Sequence, residues 1–320
     1  MNAWIFPGQG SQKVGMGRAW AEAFPFARAR FETASQVLGY DLAALCFNGP
    51  EDKLTDTRHA QPALLTVGVI AADIARVRGL ECGMVAGHSL GEYAALVAAD
   101  VLGFEDALRL VQRRAELMSH APPGAMAAII GLEMDKRLLL HEASRLRQGL
   151  PDDDKLLLLL EAARGHGTLV VANDNSPGQV VVSGQVEAVE FVVREAKKFG
   201  AKLAIRLPVS GAFHSPLMEA AGQEMSAIID AAEFREPSVP VFPNTMAMST
   251  TKAQVIKSAL MVQMYAPVRW RESVLAMIAA GATQFTELGP GKVLCGLSAR
   301  IDKSVACEAA EGWDLGLEST

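Results

Sequence analysis

Met84-Val-Ala-Gly-His-Ser-Leu-Gly-Glu-Tyr-Ala-Ala-Leu96 reads as a buried strand, a glycine-bracketed turn and a helix, with Ser89 at the corner. Gly87 and Gly91 flank the serine two residues away on each side. So tight a reversal predicts that a Cβ at either position would collide with the neighbouring strand or helix. The hydroxyl then sits at the helix N-terminus, where the free N–H of Leu90 and the helix dipole favour negative charge, such as an acyl-transfer oxyanion. An ordinary strand-to-helix turn with a capping serine fits the same pattern, so partners elsewhere in the chain must decide.

Upstream, Ala3 to Phe6 is a short apolar strand stopped by Pro7, followed by Gly8-Gln9-Gly10-Ser11-Gln12 and a helical pattern from Met16. Lys13 stands where a dinucleotide fingerprint needs its third glycine, and the P-loop spacing fails as well. The loop can offer an amide such as that of Gln9 to an anion, or it is a plain strand-helix connection. Residues 27 to 78 read as mostly helical packing, with Gln61 beside Pro62 as the one candidate for chemistry.

Downstream, Phe104 to Met118 is an amphipathic helix whose apolar arc contains Arg114. A guanidinium there must be paired, because an unpaired buried charge costs several kcal/mol, about 3–5 by analogy with broken buried pairs. It is a structural ion pair, a snorkelling side chain, or a fork for a substrate carboxylate. After His120-Ala-Pro-Pro-Gly124 the pattern changes. A strand at Ala125 to Leu132, a helix at Asp135 to Leu146, two strands within Thr168 to Ser183, a helix at Val186 to Phe199 and a strand at Leu203 to Val209 follow. The order βαββαβ predicts a ferredoxin-like unit inserted into a larger one. Pro151-Asp-Asp-Asp154 and the five leucines after it fit an extra loop and helix, over about 148–167, better than a core element.

His214 lies in Ser210-Gly-Ala-Phe-His214-Ser-Pro, on a turn between a strand and a helix, where a structural or solvated histidine is also common. Its placement favours a catalytic base. The nucleophile-then-base order matches hydrolase-like α/β folds, and only His88 among the other five histidines has a comparable position. Helices follow to Glu233, around Val255 to Met264 and over Glu272 to Ala280, with strands at Val239 to Phe242 and Gln284 to Glu287. From about Ala309 the chain reads as a weakly ordered tail.

Composition bounds the function. With 320 residues, half of them hydrophobic, the chain can bury a large core. A net charge of −6 without a long basic block argues against a nucleic-acid or anionic-membrane binder. Cys46, Cys82, Cys295 and Cys307 have no C-x-x-C spacing and are expected as reduced thiols, and no histidine pairing suggests a metal. The N-terminus lacks a signal-peptide pattern and no stretch approaches about 18 apolar residues, so a cytoplasmic protein is expected.

Several stretches together resemble the malonyl-CoA:acyl-carrier-protein transacylases over nearly the whole chain. They are Phe6-Pro-Gly-Gln-Gly-Ser-Gln12, Gln61-Pro-Ala-Leu64, Gly87-His-Ser-Leu-Gly-Glu92, Arg114 a turn before Met118, Asn175-Ser-Pro-Gly-Gln179, Ala212-Phe-His-Ser215, Pro267-Val-Arg-Trp270 and Glu287-Leu-Gly-Pro-Gly-Lys292. The resemblance implies a hydrolase-like α/β core with a parallel sheet over 1–123 and 207–320, and a small ferredoxin-like unit over 124–206. Ser89 would be the nucleophile, His214 the base, and the amides of Gln9 and Leu90 the oxyanion hole. Arg114 would hold the malonyl carboxylate, with Gln61, His88, Met118 and Phe213 around the substrate. A backbone carbonyl near the Pro-Val-x-Trp segment would orient the histidine in place of a triad acid. Arg269 stands there where many members have glutamine; a carbonyl role tolerates that change and a side-chain role does not.

The implied activity is ping-pong transfer of malonyl from malonyl-CoA to the phosphopantetheine thiol of a holo acyl carrier protein, for fatty-acid or polyketide synthesis. No cofactor or metal is expected, and the protein would be a monomer. Carrier docking on so acidic a chain would use local cations, with Lys197, Lys198, Lys202 and Arg206 as candidates. The acyltransferase subunit of malonate decarboxylase would keep the same residues. A serine thioesterase or hydrolase would keep the turn at Ser89 without explaining Arg114.

Overall fold

The computed structural model describes residues 1–135, 154–209 and 211–313. The expected helix after Asp135, Ser210 and the chain beyond residue 313 lie outside them.

Two sheets organise the chain. In the first, β1 (Asn2–Phe6) is flanked by β2 (Met84–Gly87) and β7 (Gln284–Glu287), and β8 (Ala306–Ala309) completes the order β2-β1-β7-β8, all parallel. Ala3, Trp4, Ile5 and Phe6 of β1 are all buried, as a central parallel strand covered on both faces requires. Val241 makes isolated bridges to Val85 of β2 and to Thr250, so the proline-rich segment there contributes bridges at one residue rather than a full strand.

The second sheet is antiparallel, with β3 (Ala125–Ile130), β4 (Leu169–Ser176), β5 (Gln179–Gly184) and β6 (Leu203–Arg206) in the order β4-β5-β3-β6. Its core includes Ile129, Val180 and Val182 from the strands and Val189 and Val192 from the helix Val186–Glu195. The architecture is thus mixed α/β, with the parallel sheet of a hydrolase-like core and a separate ferredoxin-like antiparallel sheet. The leucine-rich run forms the helix Lys155–Ala163, N-capped by Asp154, whose carboxylate accepts from the Leu157 amide at 2.9 Å. Leu156, Leu157, Leu159 and Leu160 are buried in the same core. The expected extra helix is thus present, but it is a core element rather than an addition to one: four leucines on so short a helix cannot all face water, and the core that the sheet shares with the helix Val186–Glu195 takes them.

Three further expectations change. The helix Thr57–Val77 is long and apolar enough to cross a membrane by length and composition, contrary to the sequence reading, but 83% of its apolar window is buried inside the protein. Cys295 and Cys307 are joined in a disulfide rather than left as thiols. Pairing of β8 with β7 and packing of the helix Val293–Ile301 beside it bring their Cα atoms to 5.2 Å, inside the range a disulfide spans. Lastly, the chain past Ala309 does not fray at once: Ala310 and Trp313 are buried, and Arg78 lies over the Trp313 ring.

Candidate active site

Ser89 joins β2 to the helix Gly91–Ala98 with φ at 51°, the left-handed region that non-glycine residues avoid. The flanking glycines are required by contact. A Cβ on Gly87 would strike the backbone of Gly91 and Glu92, and one on Gly91 would strike the Phe6 carbonyl. What holds the strained serine is a clamp on both sides of its backbone. The Ser89 amide donates to Asn244 Oδ1 at 2.7 Å, and the Ser89 carbonyl accepts from Gln263 Nε2 at 3.0 Å and from the Glu92 amide at 3.1 Å.

His214 also has positive φ, 57°, and its amide donates to the Met264 carbonyl. Its Nδ1 faces two carbonyls, Gln263 at 2.9 Å and Ala266 at 3.1 Å. Carbonyls only accept, so Nδ1 carries the proton and Nε2 presents its lone pair. Ser89 Oγ lies 2.8 Å from that Nε2 and donates to it. Burial, and then the nearby Arg114 charge, hold the imidazole down at a pKa of about 3, so it is neutral at physiological pH. A neutral imidazole, fixed in tautomer and bonded to a hydroxyl, is what general-base activation of a nucleophile needs. Ala266 directly precedes Pro267, and the Arg269 side chain turns instead to Glu272 and to the Thr245 and Met246 carbonyls. The orientation of the histidine therefore comes from backbone carbonyls, not from the side chain at 269.

Arg114 is 1% exposed on the helix Phe104–Ser119. Its Nη1 donates to Gln61 Oε1 at 2.7 Å, and its Nη2 to Gln263 Oε1 and Ser89 Oγ, both at 3.1 Å. Its Nε has no partner, and among the described residues its hydrogen bonds go to neutral groups alone, with no ion pair to a carboxylate. The acid closest in the network is Glu92, also 1% exposed, which accepts from Gln263 Nε2 at 2.8 Å and the Asn244 amide at 3.2 Å. Burial pushes the Glu92 carboxyl up to about 7.

Two backbone amides complete the arrangement. Among the described residues neither the Gln9 nor the Leu90 N–H has a hydrogen-bond partner, while the Gln9 side chain is tied to Thr57 Oγ1 at 3.1 Å. Both residues line a cleft of about 280 Å³ with Ser89, Arg114 and His214, between the parallel and antiparallel sheets. Met118, Met126, Val181 and Phe213 supply apolar walls. Gln61 Nε2 also reaches Met118 Sδ at 3.2 Å, and His88 Nε2 lies 2.8 Å from Asn175 Oδ1, its ring tilted against Trp270.

Every site residue expected from the sequence is therefore placed in or directly behind one cleft. Sequence reasoning gave no role to Asn244, Gln263 or Glu92. Glu92 stood inside the quoted turn motif, but Asn244 and Gln263 carry no local signal, since each acts by reaching an element more than 150 residues away. Among the described residues no group of three or more His, Cys, Asp or Glu side chains could hold a metal.

Residues 3–300 match the family model of the acyl transferase domain. The malonyl CoA-acyl carrier protein transacylase of Bacillus subtilis is 41% identical, covering 99% of this chain and 96% of its own length. That of Escherichia coli K12 is 42% identical over 96% of this chain and 94% of its own. Among solved structures, an acyl carrier protein S-malonyltransferase from Vibrio cholerae superposes with a TM-score of 0.86 at 42% identity, covering 96% of both chains. A type II PKS malonyl-transacylase in complex with its acyl-carrier protein gives 0.86 at 40% identity, covering 96% of this chain and 95% of its own. With a hydroxyl, a base and a buried cation at the junction of its two sheets, the chain belongs to the malonyl CoA-acyl carrier protein transacylase family of acyl transferases.

Proposed function

We propose that this enzyme transfers a malonyl group from malonyl-CoA to the phosphopantetheine thiol of an acyl carrier protein, through a malonyl ester on Ser89. The observation that carries this reading is Arg114: a buried guanidinium, 3.1 Å from the nucleophilic hydroxyl, held among the described residues by neutral groups alone. A charge so placed is incomplete until an anion joins it, and a malonyl carboxylate arrives with the acyl carbon at Ser89.

Ser89 Oγ attacks the thioester carbonyl while His214 Nε2 takes its proton. The tetrahedral oxyanion accepts from the Gln9 and Leu90 amides, each donor worth roughly 3 kcal/mol in comparable sites. The C–S bond breaks, and the coenzyme A sulfur leaves with the proton from His214. In the second half the carrier thiol gives its proton to His214 and attacks the ester carbonyl, and Ser89 departs with that proton. Arg114 keeps the acyl group in one orientation through both halves. Both halves balance with these groups alone, which supports a reaction without a cofactor.

We divide the chain into a large acyltransferase unit, 1–123 and 207–320, and a small unit, 124–206, that contributes Met126, Asn175 and Val181 to the cleft. Burial of the apolar helix Thr57–Val77 in the core supports a soluble enzyme rather than a membrane one, and we take it to be a cytoplasmic monomer. The test is incubation with malonyl-CoA and holo acyl carrier protein. Malonyl-carrier formation much faster than malonyl-CoA hydrolysis is expected; hydrolysis at the same rate with and without carrier would make the protein a thioesterase.

A further inference from the structure

Beside the catalytic cleft lies a second, wider groove of about 780 Å³ that shares Thr55, Leu207, Pro208 and Val209 with it. The two therefore adjoin along these residues. Arg58, from the first turn of the helix Thr57–Val77, and Arg206, the last residue of β6, both line the groove. We propose that this groove binds the phosphates of the coenzyme A donor, with Arg206 and Arg58 as the cations. The proposal rests on the malonyl-transfer reading for one point, that the thioester lies at Ser89. The pantetheine arm must then leave the cleft, and the shared wall at Leu207 to Val209 leads it into the groove.

The side-chain geometry fits a phosphate ligand. Asp56 engages Arg58 through Nε at 2.9 Å and Nη2 at 2.8 Å, leaving Nη1 without an internal partner among the described residues. Glu190 engages Arg206 through Nη1 at 2.8 Å, leaving Nε and Nη2. Each carboxylate fixes a guanidinium while leaving donors for an anion, and Arg forks suit phosphate oxygens. Asp56 itself lines the groove, and Arg58 holds its carboxyl at a pKa of about 2, so it stays charged and offsets its own partner. Glu190 is not among the groove residues. Arg206 therefore supplies the larger share. The floor also touches the chemistry, because Thr57 Oγ1 accepts from Gln9 Nε2 and so links the groove to the loop carrying an oxyanion amide.

The experiment compares malonyl-CoA with malonyl-pantetheine, which carries the same thioester and no phosphate, in Arg206→Gln, Arg58→Gln and the double variant. Calorimetric binding of coenzyme A to the unacylated protein runs in parallel. The ratio of kcat/KM for malonyl-CoA to that for malonyl-pantetheine is expected to fall about tenfold in the double variant, with Arg206→Gln giving most of the fall and coenzyme A binding weakened equally. Added salt should reproduce the trend in the wild type. Equal losses for both donors, or unchanged coenzyme A affinity, would overturn the proposal. If the wild type bound coenzyme A in an arginine-dependent way yet transferred malonyl from neither donor, the groove would stand and the malonyl-transfer reading would fall.

Discussion

Replacing Arg114 with alanine removes the buried cation beside Ser89, and the structure sets what should be lost for each substrate. The guanidinium has 1% exposure and, among the described residues, no carboxylate partner, so a malonyl carboxylate reaching it forms a desolvated pair. Breaking such a pair costs about 3–5 kcal/mol. At about 1.4 kcal/mol per factor of ten, kcat/KM for malonyl-CoA should fall by roughly a thousandfold. Acetyl-CoA has no carboxylate and loses only the contact from Nη2 to Ser89 Oγ, worth about 1 kcal/mol or a factor of about five. Rapid-quench acylation followed by intact mass spectrometry measures both donors on one protein. A matched fall for malonyl and acetyl donors would refute the assignment and leave Arg114 a structural residue that shapes Ser89. The variant also relieves one repulsion on His214 and one attraction on Glu92, so its pH profile should move as well.

Because burial and Arg114 hold His214 far below the ordinary histidine value of 6.5, the acid limb of kcat/KM for acylation should lie well under that pH and shift upward in Arg114→Ala; a limb at the ordinary value would remove His214 as the base. Glu92 has its folded-state pKa raised from 4.5 to about 7, so the fold favours the protonated form. Stability is therefore lost as pH rises through that window, by up to about 3 kcal/mol. Glu92→Gln, an isostere of the protonated acid, should flatten that dependence in urea titrations, and an unchanged slope would contradict the assignment. Lys197 and Lys202 have no ion-pair partner among the described residues, whereas Lys198 is committed to Glu195. Charge reversal at Lys197 and Lys202 should raise the KM for an acidic carrier severalfold without touching the acylation half-reaction; an unchanged KM would remove this surface from the docking site.

How far the sequence disclosed the molecule depends on the range of each interaction. The turn at Ser89 was readable because its constraint is local: glycines two residues either side meet backbone within the same motif or on β1. The ferredoxin-like order was readable from alternating strands and helices, and the apolar arc around Arg114 from helical periodicity. What was missed depends on pairing across the chain. The strand Ala306–Ala309 is short, with Ala306 and Glu308 exposed, and exists because β7 offers it an edge. That pairing also brings Cys307 to Cys295, which spacing alone could not foresee. The leucine run Leu156 to Leu160 carries no mark of the core that buries it, because that core is assembled from strands and a helix distant in sequence. Likewise Asn244 and Gln263, which clamp the Ser89 backbone, are ordinary amides in sequence and become functional only through contacts across more than 150 residues.

The most direct test of the central claim is mass spectrometry of the protein after brief exposure to malonyl-CoA without a carrier acceptor, followed by proteolysis. A single malonyl group on the peptide containing Ser89, absent from Ser89→Ala and discharged on addition of holo acyl carrier protein, is the predicted result. A malonyl adduct that persists in Ser89→Ala, or transfer to carrier by that variant at the wild-type rate, would contradict it.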